Sequence, residues 1–314
     1  MDFTNIIEEM RYIKKRNQFI KELELFIELR GFTKVDVDFF EPYDKFVEQN
    51  KRIKRESMVK IIDPKGRISI LSPDITTNII EQVVYKWVDD AAVKLFYDAY
   101  TFRQTEGNIE EKRQFGIEQL GYQGYTAEID VLSTVISLLK EYNIDYKIRL
   151  GSGAFINSLL KELDWDKDTI NQIKNALQAK NEQALSKIID QQPLKNGSSL
   201  IVRNLLKFEG TMEDVLTKLA SYTLSSDLQV SLNSLEDIIK KLNNPSRLWV
   251  DLSLIPEFDY YNGLVLEGYT KSLSTPLFLG GRYDKLTAQY GKNINAFGIS
   301  FDFQALIKEV TSNE

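Results

Sequence analysis

The chain has 314 residues, 43% of them hydrophobic and 27% charged, and its formal net charge is -6 at pH 7. A chain of this length can bury a sizeable core. Its hydrophobic residues form no continuous run approaching about 18, so the sequence predicts no membrane-spanning helix. The net negative charge argues against a broad nucleic-acid-binding surface, because neutralising phosphates requires clustered Lys and Arg.

Cysteine and histidine are both missing from the chain. Without Cys there are no disulfides, zinc ribbons or thiol nucleophiles. Without His the commonest general base and the commonest metal ligand are missing too, and we predict no metal site. The start, Met1 to Asn5, lacks a basic segment followed by an apolar one, so we predict no signal peptide and expect a cytoplasmic location.

The N-terminal residues predict one long helix. Apolar residues recur at intervals of three and four from Ile6 to Phe26, which indicates one face of an amphipathic helix. Asn5 with Glu8 predicts a capping box at its start, and Gly31 predicts its end.

Residues 57–63 and 67–71 predict two short strands, joined by a turn at Asp63-Pro64-Lys65-Gly66. Four basic residues cluster just before them, Lys51, Arg52, Lys54 and Arg55. We interpret this cluster as a solvated loop tip, with phosphate contact as the alternative.

A strand with one polar face is predicted at residues 114–121. Alternation places Gln114, Gly116 and Glu118 on one face and Phe115 and Ile117 on the other. An amide and a carboxylate with a glycine between them suit a small polar ligand with N–H groups. For this strand alone, an edge strand that meets water is the alternative.

The strand predicted from Tyr260 to Tyr269 repeats this pattern. One face carries a phenol, a carboxylate and a glycine-sized gap, from Tyr261, Glu267 and Gly263. Small polar ligands are usually admitted to a sheet floor in this way. The presence of two such strands favours a ligand pocket over two solvent-exposed edge strands.

The sequence changes character near residue 151. Residues 126–140 predict a helix and 146–150 a strand, but from Gly151 to about Asn244 the chain predicts short helices, including 166–180 and 228–242. An aromatic and Gly-rich sequence resumes at Leu248. We therefore predict an α+β core formed by residues 1–150 and 246–314, and a mainly helical insertion at 151–245.

Several motifs resemble those of histidyl-tRNA synthetases, a class II family. The resemblance covers the histidine-recognising strand and third signature motif at 259–267 and 280–286, and the strand that ends in Phe102-Arg103 as the second motif does. It extends to Leu-Ser-Pro-Asp-Ile-Thr at 71–76 and Gln-x-Gly-x-Glu-x-x-Gly at 114–121.

The resemblance implies a class II synthetase-like antiparallel sheet flanked by helices and a homodimer through the segment 31–41. It also implies that Asp74 holds a substrate ammonium group, although Asp74 precedes a helical pattern and is equally a candidate N-cap. The candidate histidine-binding residues that it assigns are Asp74, Arg103, Gln114, Glu118, Tyr260 and Tyr261.

The sequence departs from the synthetase pattern at positions where the family has arginines that stabilise charge during amino-acid activation. Family arginines match Pro256, Ala305 and Ser72, and the first-motif proline matches Asp38. Losing one preorganised charge partner costs about 10²–10³ in rate, so amino-acid activation is not expected. The chain also stops a few residues after Leu306, so we predict no anticodon-binding domain and no nucleic-acid partner.

This combination resembles the ATP phosphoribosyltransferase regulatory subunits. The resemblance implies a subunit without catalytic residues or a cofactor of its own, required for activity of a short-form catalytic subunit in a hetero-octamer and for feedback inhibition by L-histidine. The complex would use ATP, phosphoribosyl pyrophosphate and Mg²⁺ in the first step of histidine biosynthesis. The missing His residues fit a protein needed when histidine is scarce, with codon bias as the alternative.

Three further alternatives remain open. Histidine could bind in the synthetase-like pocket or at the interface with the catalytic subunit. The chain could instead be a free-standing sensor of histidine or uncharged tRNA. It could also be a stand-alone ligase that forms an aminoacyl adenylate, which the lost arginines disfavour.

Overall fold

The computed structural model describes residues 5–50, 53–192, 197–242, 245–255 and 260–312. A large sheet organises the fold, with strand order β1-β5-β6-β12-β11-β10-β7-β9-β8, and a second sheet has the order β2-β4-β3. The strands are β1 Thr33–Lys34, β2 Phe40–Pro42, β3 Lys60–Ile62, β4 Ile68–Leu71, β5 Val93–Thr105, β6 Asn108–Leu120, β7 Tyr146–Ser152, β8 Glu209–Gly210, β9 Leu248–Asp251, β10 Leu264–Thr270, β11 Phe278–Arg282 and β12 Ala296–Asp302.

The large sheet is mainly antiparallel, as predicted for a class II synthetase-like fold. Two pairings are parallel, β1 with β5 and β7 with β9. The parallel pairings were not predicted. Parallel neighbours need a long connection, and the helical residues between β7 and β9 provide one.

Helices cover the sheet. They are α1 Ile6–Glu28, α2 Tyr43–Gln49, α3 Ile75–Val84, α4 Thr126–Glu141, α5 Gly153–Glu162, α6 Lys167–Gln178, α7 Glu182–Asp190, α8 Gly197–Asn204, α9 Met212–Leu219, α10 Ser226–Lys241, α11 Asp284–Gln289 and α12 Phe303–Ser312. None of these described helices combines the length and the apolarity that crossing a membrane requires.

The first helix begins and ends where the sequence predicts. The Asn5 side chain accepts hydrogen bonds from the backbone N–H groups of Ile7 and Glu8, and Gly31 follows the helix with a φ of 83°. Only its C-terminal half is buried, through Phe19, Leu23 and Ile27. The apolar face predicted from Ile6 is therefore wrong for the first two turns, which are exposed.

The helices predicted at 166–180 and 228–242 are present as α6 and α10. The helices between residues 153 and 241 pack into the same hydrophobic core as α1, α4 and α12. An ion pair adds to this packing, because the exposed Lys180 Nζ lies 2.5 Å from the buried Asp251 Oδ2 at the end of β9. The domain boundaries at 150 and 246 remain a prediction.

The hairpin predicted at 57–71 is present as β3 and β4. Its turn is stabilised by Asp63, which accepts hydrogen bonds from the backbone N–H groups of Lys65 and Arg67. In the basic cluster before it, Lys54 and Arg55 are exposed, which agrees with a solvated loop. Lys51 and Arg52 lie outside the described residues.

Two sequence-based predictions of local structure are wrong. The strand predicted to end at Arg103 and the strand predicted to begin at Gln114 both continue further, because β5 and β6 run on to a tight turn at Glu106-Gly107, where both residues have positive φ. Such two-residue turns suit the twist of a hairpin. The strand predicted from Tyr260 begins only at Leu264.

Candidate functional site

A cavity of about 290 Å³ is lined by residues of β5, β6, β11 and β12. The first turn of α3 and the segment 275–277 form its sides. All six residues predicted to bind a ligand line this cavity, namely Asp74, Arg103, Gln114, Glu118, Tyr260 and Tyr261. The structure therefore gathers residues that are up to 187 positions apart in the chain into one site.

Glu118 lines the cavity and is 2% exposed. Its Oε1 accepts a hydrogen bond from Thr76 Oγ1 at 2.9 Å, and its Oε2 accepts one from the Tyr283 hydroxyl. Gly298 faces it on β12, where a Cβ would overlap the carboxylate. Burial raises the pKa of Glu118 to about 7, against the lowering effect of these hydrogen bonds.

The structure confirms one of the two roles predicted for Asp74, the N-cap, and its contact with an ammonium group stays a prediction. It is the N-cap of α3, where its side chain accepts hydrogen bonds from Thr77 Oγ1 at 2.6 Å and from Thr77 N at 3.5 Å. It also lines the cavity beside Thr76. A capping carboxylate keeps lone pairs for a further donor, so the cap and an ammonium contact are compatible.

The acidic end of the cavity has no cationic partner within the described residues. Glu118 and Asp74 line it, and Glu41 lies buried behind Asp74; none of the three forms an ion pair there. The negative charge of Asp74 contributes to the raised pKa of both glutamates. These carboxyls form no metal-binding group among the described residues. The arrangement thus favours an organic cation or N–H donor as the ligand.

Glu41 makes stability depend on pH. It is 6% exposed, and burial raises its pKa to about 7 from an ordinary 4.5. Between these pH values the folded chain holds a proton that the unfolded chain has released, so this group lowers the free energy of unfolding as pH rises.

We expect Glu41→Gln to raise the free energy of unfolding at pH 8 by about 2–3 kcal/mol and to leave it nearly unchanged at pH 4.5, because the variant carries no charge to bury. Urea unfolding at both pH values measures this. Glu111→Gln, an exposed change on β6, is the control. An equal effect of Glu41→Gln at both pH values would contradict the prediction.

The end of the cavity nearer the hairpin turn carries cations. Three basic side chains, Arg103, Lys112 and Arg113, line it together with two carboxylates, Glu110 and Asp302. Arg113 is held by Asp98 on the neighbouring strand through hydrogen bonds of 2.7 and 2.6 Å, and Lys112 lies 3.2 Å from Glu110. A cavity with carboxyl groups at one end and basic side chains at the other suits a zwitterion such as a free amino acid.

The gap predicted beside Gly116 is not available to a ligand. Gln114, Gly116 and Glu118 share one face of β6, as predicted, but the ring of Tyr97 on β5 covers Gly116 so closely that a Cβ there would overlap it. The space over Gly116 is therefore filled by the Tyr97 ring of the protein itself. Sequence alternation reveals the gap but not its occupant.

Only part of the polar face predicted for the strand from Tyr260 to Tyr269 lies at the cavity. Tyr261 lines it, but Glu267 is bound to Arg149 on β7, whose Nε donates to Glu267 Oε2 at 3.1 Å. Gly263 packs against the side chain of Arg282. The chain is not a strand between residues 260 and 263. Strand alternation therefore does not apply there, and it wrongly placed Tyr261, Gly263 and Glu267 on one common face.

Four of the other residues that line the cavity help to form the site but were not among the predicted site residues. Thr76 and Tyr283 bind Glu118, while Tyr97 and Ser300 form part of the floor. A signal exists for Tyr97, because period two places it on the same face of β5 as Arg103. Tyr283 belongs to the third motif, but its contact with Glu118 joins residues 165 positions apart.

The positions that replace synthetase arginines lie in different surroundings. Ser72 is buried directly before Pro73, which lines the cavity. Ala305 lies on α12 and packs against the main core, and the cavity wall ends at Asp302. Pro256 lies outside the described residues.

The fold and the cavity define a class II aminoacyl-tRNA synthetase-like protein. The family model described as Histidyl-tRNA synthetase matches residues 9–306. A structure titled histidine–tRNA ligase subunit, from Alicyclobacillus acidocaldarius, has a TM-score of 0.79 at 21% identity and covers 96% of this chain and 94% of its own.

Two relatives named ATP phosphoribosyltransferase regulatory subunit narrow the class. The one from Clostridium botulinum is 30% identical over 282 residues, which are 87% of this chain and 67% of the relative. The one from Bacillus mycoides is 27% identical over 318 residues, which are 98% of this chain and 74% of the relative. The chain belongs to the histidyl-tRNA synthetase family and, within it, to the ATP phosphoribosyltransferase regulatory subunits.

A solved structure from Bacillus halodurans shares the fold. It is titled an ATP phosphoribosyltransferase regulatory subunit/histidyl-tRNA synthetase, with a TM-score of 0.83, 22% identity and coverage of 95% of this chain and 79% of its own. A chain of an ATP phosphoribosyl transferase (HisG:HisZ) complex from Thermotoga maritima has a TM-score of 0.65 at 18% identity. The match covers 96% of this chain and 98% of that one.

Proposed function

We propose that this chain regulates ATP phosphoribosyltransferase as a subunit without catalytic activity of its own. It activates a short-form catalytic subunit in a hetero-octamer and confers feedback inhibition by L-histidine on it. The complex uses ATP, phosphoribosyl pyrophosphate and Mg²⁺, and the chain supplies no cofactor. Family membership supports the role, and the partner named in the Thermotoga maritima complex supports the assembly.

The observation that carries the effector proposal is the charge distribution of the cavity. Its acidic end has no cation among the described residues, and its other end carries Arg103 and Lys112. L-Histidine brings an ammonium group and an imidazole for the acidic end and a carboxylate for Arg103. Inhibition then requires that histidine bind the less active form of the complex more tightly than the active form.

The test measures phosphoribosyl-ATP formation by a short-form catalytic subunit, with and without this chain, at zero and millimolar histidine. We expect activity only with the chain present, and a fall in activity when histidine is added. If the chain changes nothing and does not co-purify with that subunit, the proposal fails and a free-standing histidine sensor replaces it. ATP–pyrophosphate exchange by the purified chain would instead indicate a ligase.

We also propose that the chain forms a homodimer through the segment 31–41 and the small sheet that contains β2. Five large apolar side chains are exposed there, namely Phe39 at 54%, Phe40 at 58%, Ile61 at 40%, Ile62 at 69% and Ile68 at 40%. An exposed cluster of this kind is typical of a protein interface. Phe40→Asp is expected to convert dimer to monomer in sedimentation velocity, while Ile109→Asp, an equally exposed change at the hairpin, keeps the dimer. A dimeric Phe40→Asp variant would contradict this surface.

A further inference from the structure

Tyr260 and Tyr261 reach the cavity from a segment that lies outside the sheet. Both side chains line the cavity, and they are 3% and 7% exposed. Residues 260–263 are not part of a strand, because β10 begins only at Leu264. The position of the two rings therefore depends on the individual contacts that this segment makes with the rest of the fold.

Asn262 joins this segment to the start of α11. Its side-chain Oδ1 accepts a hydrogen bond from the backbone N–H of Asp284 at 3.0 Å, and its Nδ2 donates to Asp284 Oδ2 at 3.3 Å. We call these two hydrogen bonds the Asn262–Asp284 clasp. The backbone N–H of Asn262 also donates to the Arg282 carbonyl oxygen at 2.9 Å. The side chain and the backbone of one residue thus hold the segment beside the end of β11.

Asp284 is itself held by the sheet. Its Oδ1 accepts a hydrogen bond from the backbone N–H of Ala296, the first residue of β12, at 2.7 Å. Arg282 Nη1, on the last residue of β11, lies 3.3 Å from the same oxygen. The clasp therefore connects the segment with the two tyrosines to two strands that form the cavity floor.

The Asn262 side chain lies at a different cavity from the tyrosines that it adjoins. A second cavity of about 240 Å³ is lined by residues of α4, α5 and α10 together with Asn262, Arg282 and Asp284. The described lining of the first cavity includes Tyr260 and Tyr261 but not Asn262. A side chain at a cavity wall packs on fewer sides, so the hydrogen bonds of the clasp contribute much of what holds Asn262 in place.

We propose that Asn262 is a positioning residue for the first cavity. Through the clasp it holds residues 260–263 in the arrangement in which the Tyr260 and Tyr261 rings line that cavity, and it acts on the ligand only through these rings. The inference rests on the proposed function, because it takes L-histidine as the ligand. When the clasp is broken, the segment occupies the binding arrangement for only part of the time, and the apparent Kd rises in inverse proportion to that fraction.

Two variants separate the clasp from the residue itself. Asn262→Ala removes both of its hydrogen bonds. The double variant Asn262→Asp/Asp284→Asn exchanges the two side chains and keeps the net charge. In it the carboxylate at 262 still accepts from the backbone N–H at 284, and the amide at 284 donates to that carboxylate while its oxygen accepts from Ala296 N. Asn233→Ala is the control, because Asn233 is exposed on α10 and lies outside the described lining of both cavities.

Each protein is titrated calorimetrically with L-histidine, and hydrogen exchange of the peptide 260–264 is followed by mass spectrometry. Urea unfolding shows that each protein is folded under the conditions of the titration. We expect Asn262→Ala to weaken histidine binding by roughly tenfold, the order expected when two ordinary hydrogen bonds no longer favour the binding arrangement. The peptide 260–264 should exchange faster in this variant, while the rest of the chain exchanges as in the wild type. The exchange variant and the control should match the wild type in both measurements.

Three results would overturn the inference. Wild-type affinity in folded Asn262→Ala would mean that the clasp serves the fold alone. An equal loss of affinity in Asn262→Ala and in the exchange variant would mean that Asn262 acts by a route other than the clasp. Faster exchange throughout the chain, in place of a local change, would indicate general destabilisation.

Failure of the inference and failure of the proposed function give different results. If the wild type binds histidine and Glu118→Gln weakens that binding, while Asn262→Ala binds as the wild type does, only the inference fails. If the wild type binds no histidine, alone or with the catalytic subunit, the effector role fails and the inference fails with it.

Discussion

Glu118→Gln is expected to weaken histidine binding by about 10- to 100-fold at pH 8, because a hydrogen bond to a charged group contributes about 1.5–3 kcal/mol. The same variant should be more stable than the wild type at that pH. Burial raises the pKa of Glu118 to about 7, so at pH 8 the wild type holds a buried negative charge that glutamine removes. Weaker binding together with higher stability would exclude unfolding as the cause of the loss.

Calorimetric titration of the chain, and the histidine concentration that halves the activity of the assembled complex, provide the two measurements. Glu111→Gln is the control, since Glu111 lies on the same strand but outside the cavity. Both variants should assemble and activate the catalytic subunit normally. Wild-type inhibition by histidine in Glu118→Gln would place the effector site elsewhere, at the interface between the subunits.

The second large effect is expected at Gly298. A Cβ at this position would overlap the Glu118 carboxylate and would lie 3.0 Å from the Ile117 carbonyl oxygen. We therefore expect Gly298→Ala to lower the free energy of unfolding by about 1–3 kcal/mol, the usual range for overpacking, and to abolish measurable histidine binding because the carboxylate is displaced. Urea unfolding and calorimetric titration measure the two effects.

A double variant distinguishes this cause from general damage. In Glu118→Ala/Gly298→Ala the overlapping carboxylate is gone, so most of the lost stability should return while histidine binding stays absent. Gly197→Ala is the control, because the nearest heavy atom to its Cβ is the Thr223 carbonyl oxygen at 3.8 Å. Strictly additive losses in the double variant would show that Gly298 is needed for a reason other than space for Glu118.

Much of the fold was predictable because its strongest elements have clear periodicity or motif spacing. The predicted helix at 126–140 corresponds to α4, and the strand predicted to end in Phe102-Arg103 lies within β5. The six candidate residues converge on one cavity because each belongs to a motif shared with the family, and those motifs lie on or beside the elements that line the cavity. Whether they bind histidine remains a prediction.

The remaining errors have two physical causes. The outer part of the β5–β6 hairpin contains consecutive charged residues, such as Glu110 and Glu111, because both of its faces meet solvent. Without an apolar face there is no alternation to indicate a strand. The occupant of the gap at Gly116 depended on which residue of a neighbouring strand lies opposite it, and strand register between distant segments is not encoded in local spacing.

The pairing of β6 with β12 also determines when the cavity can exist during folding. Glu118 pairs with Gly298, 180 residues later in the chain, and the helices from α5 to α10 lie between them in sequence. Contacts this distant require the closure of a long loop and form slowly. A nascent chain on the ribosome therefore has no complete cavity floor until β12 has emerged, and no ligand of the cavity can bind before that point.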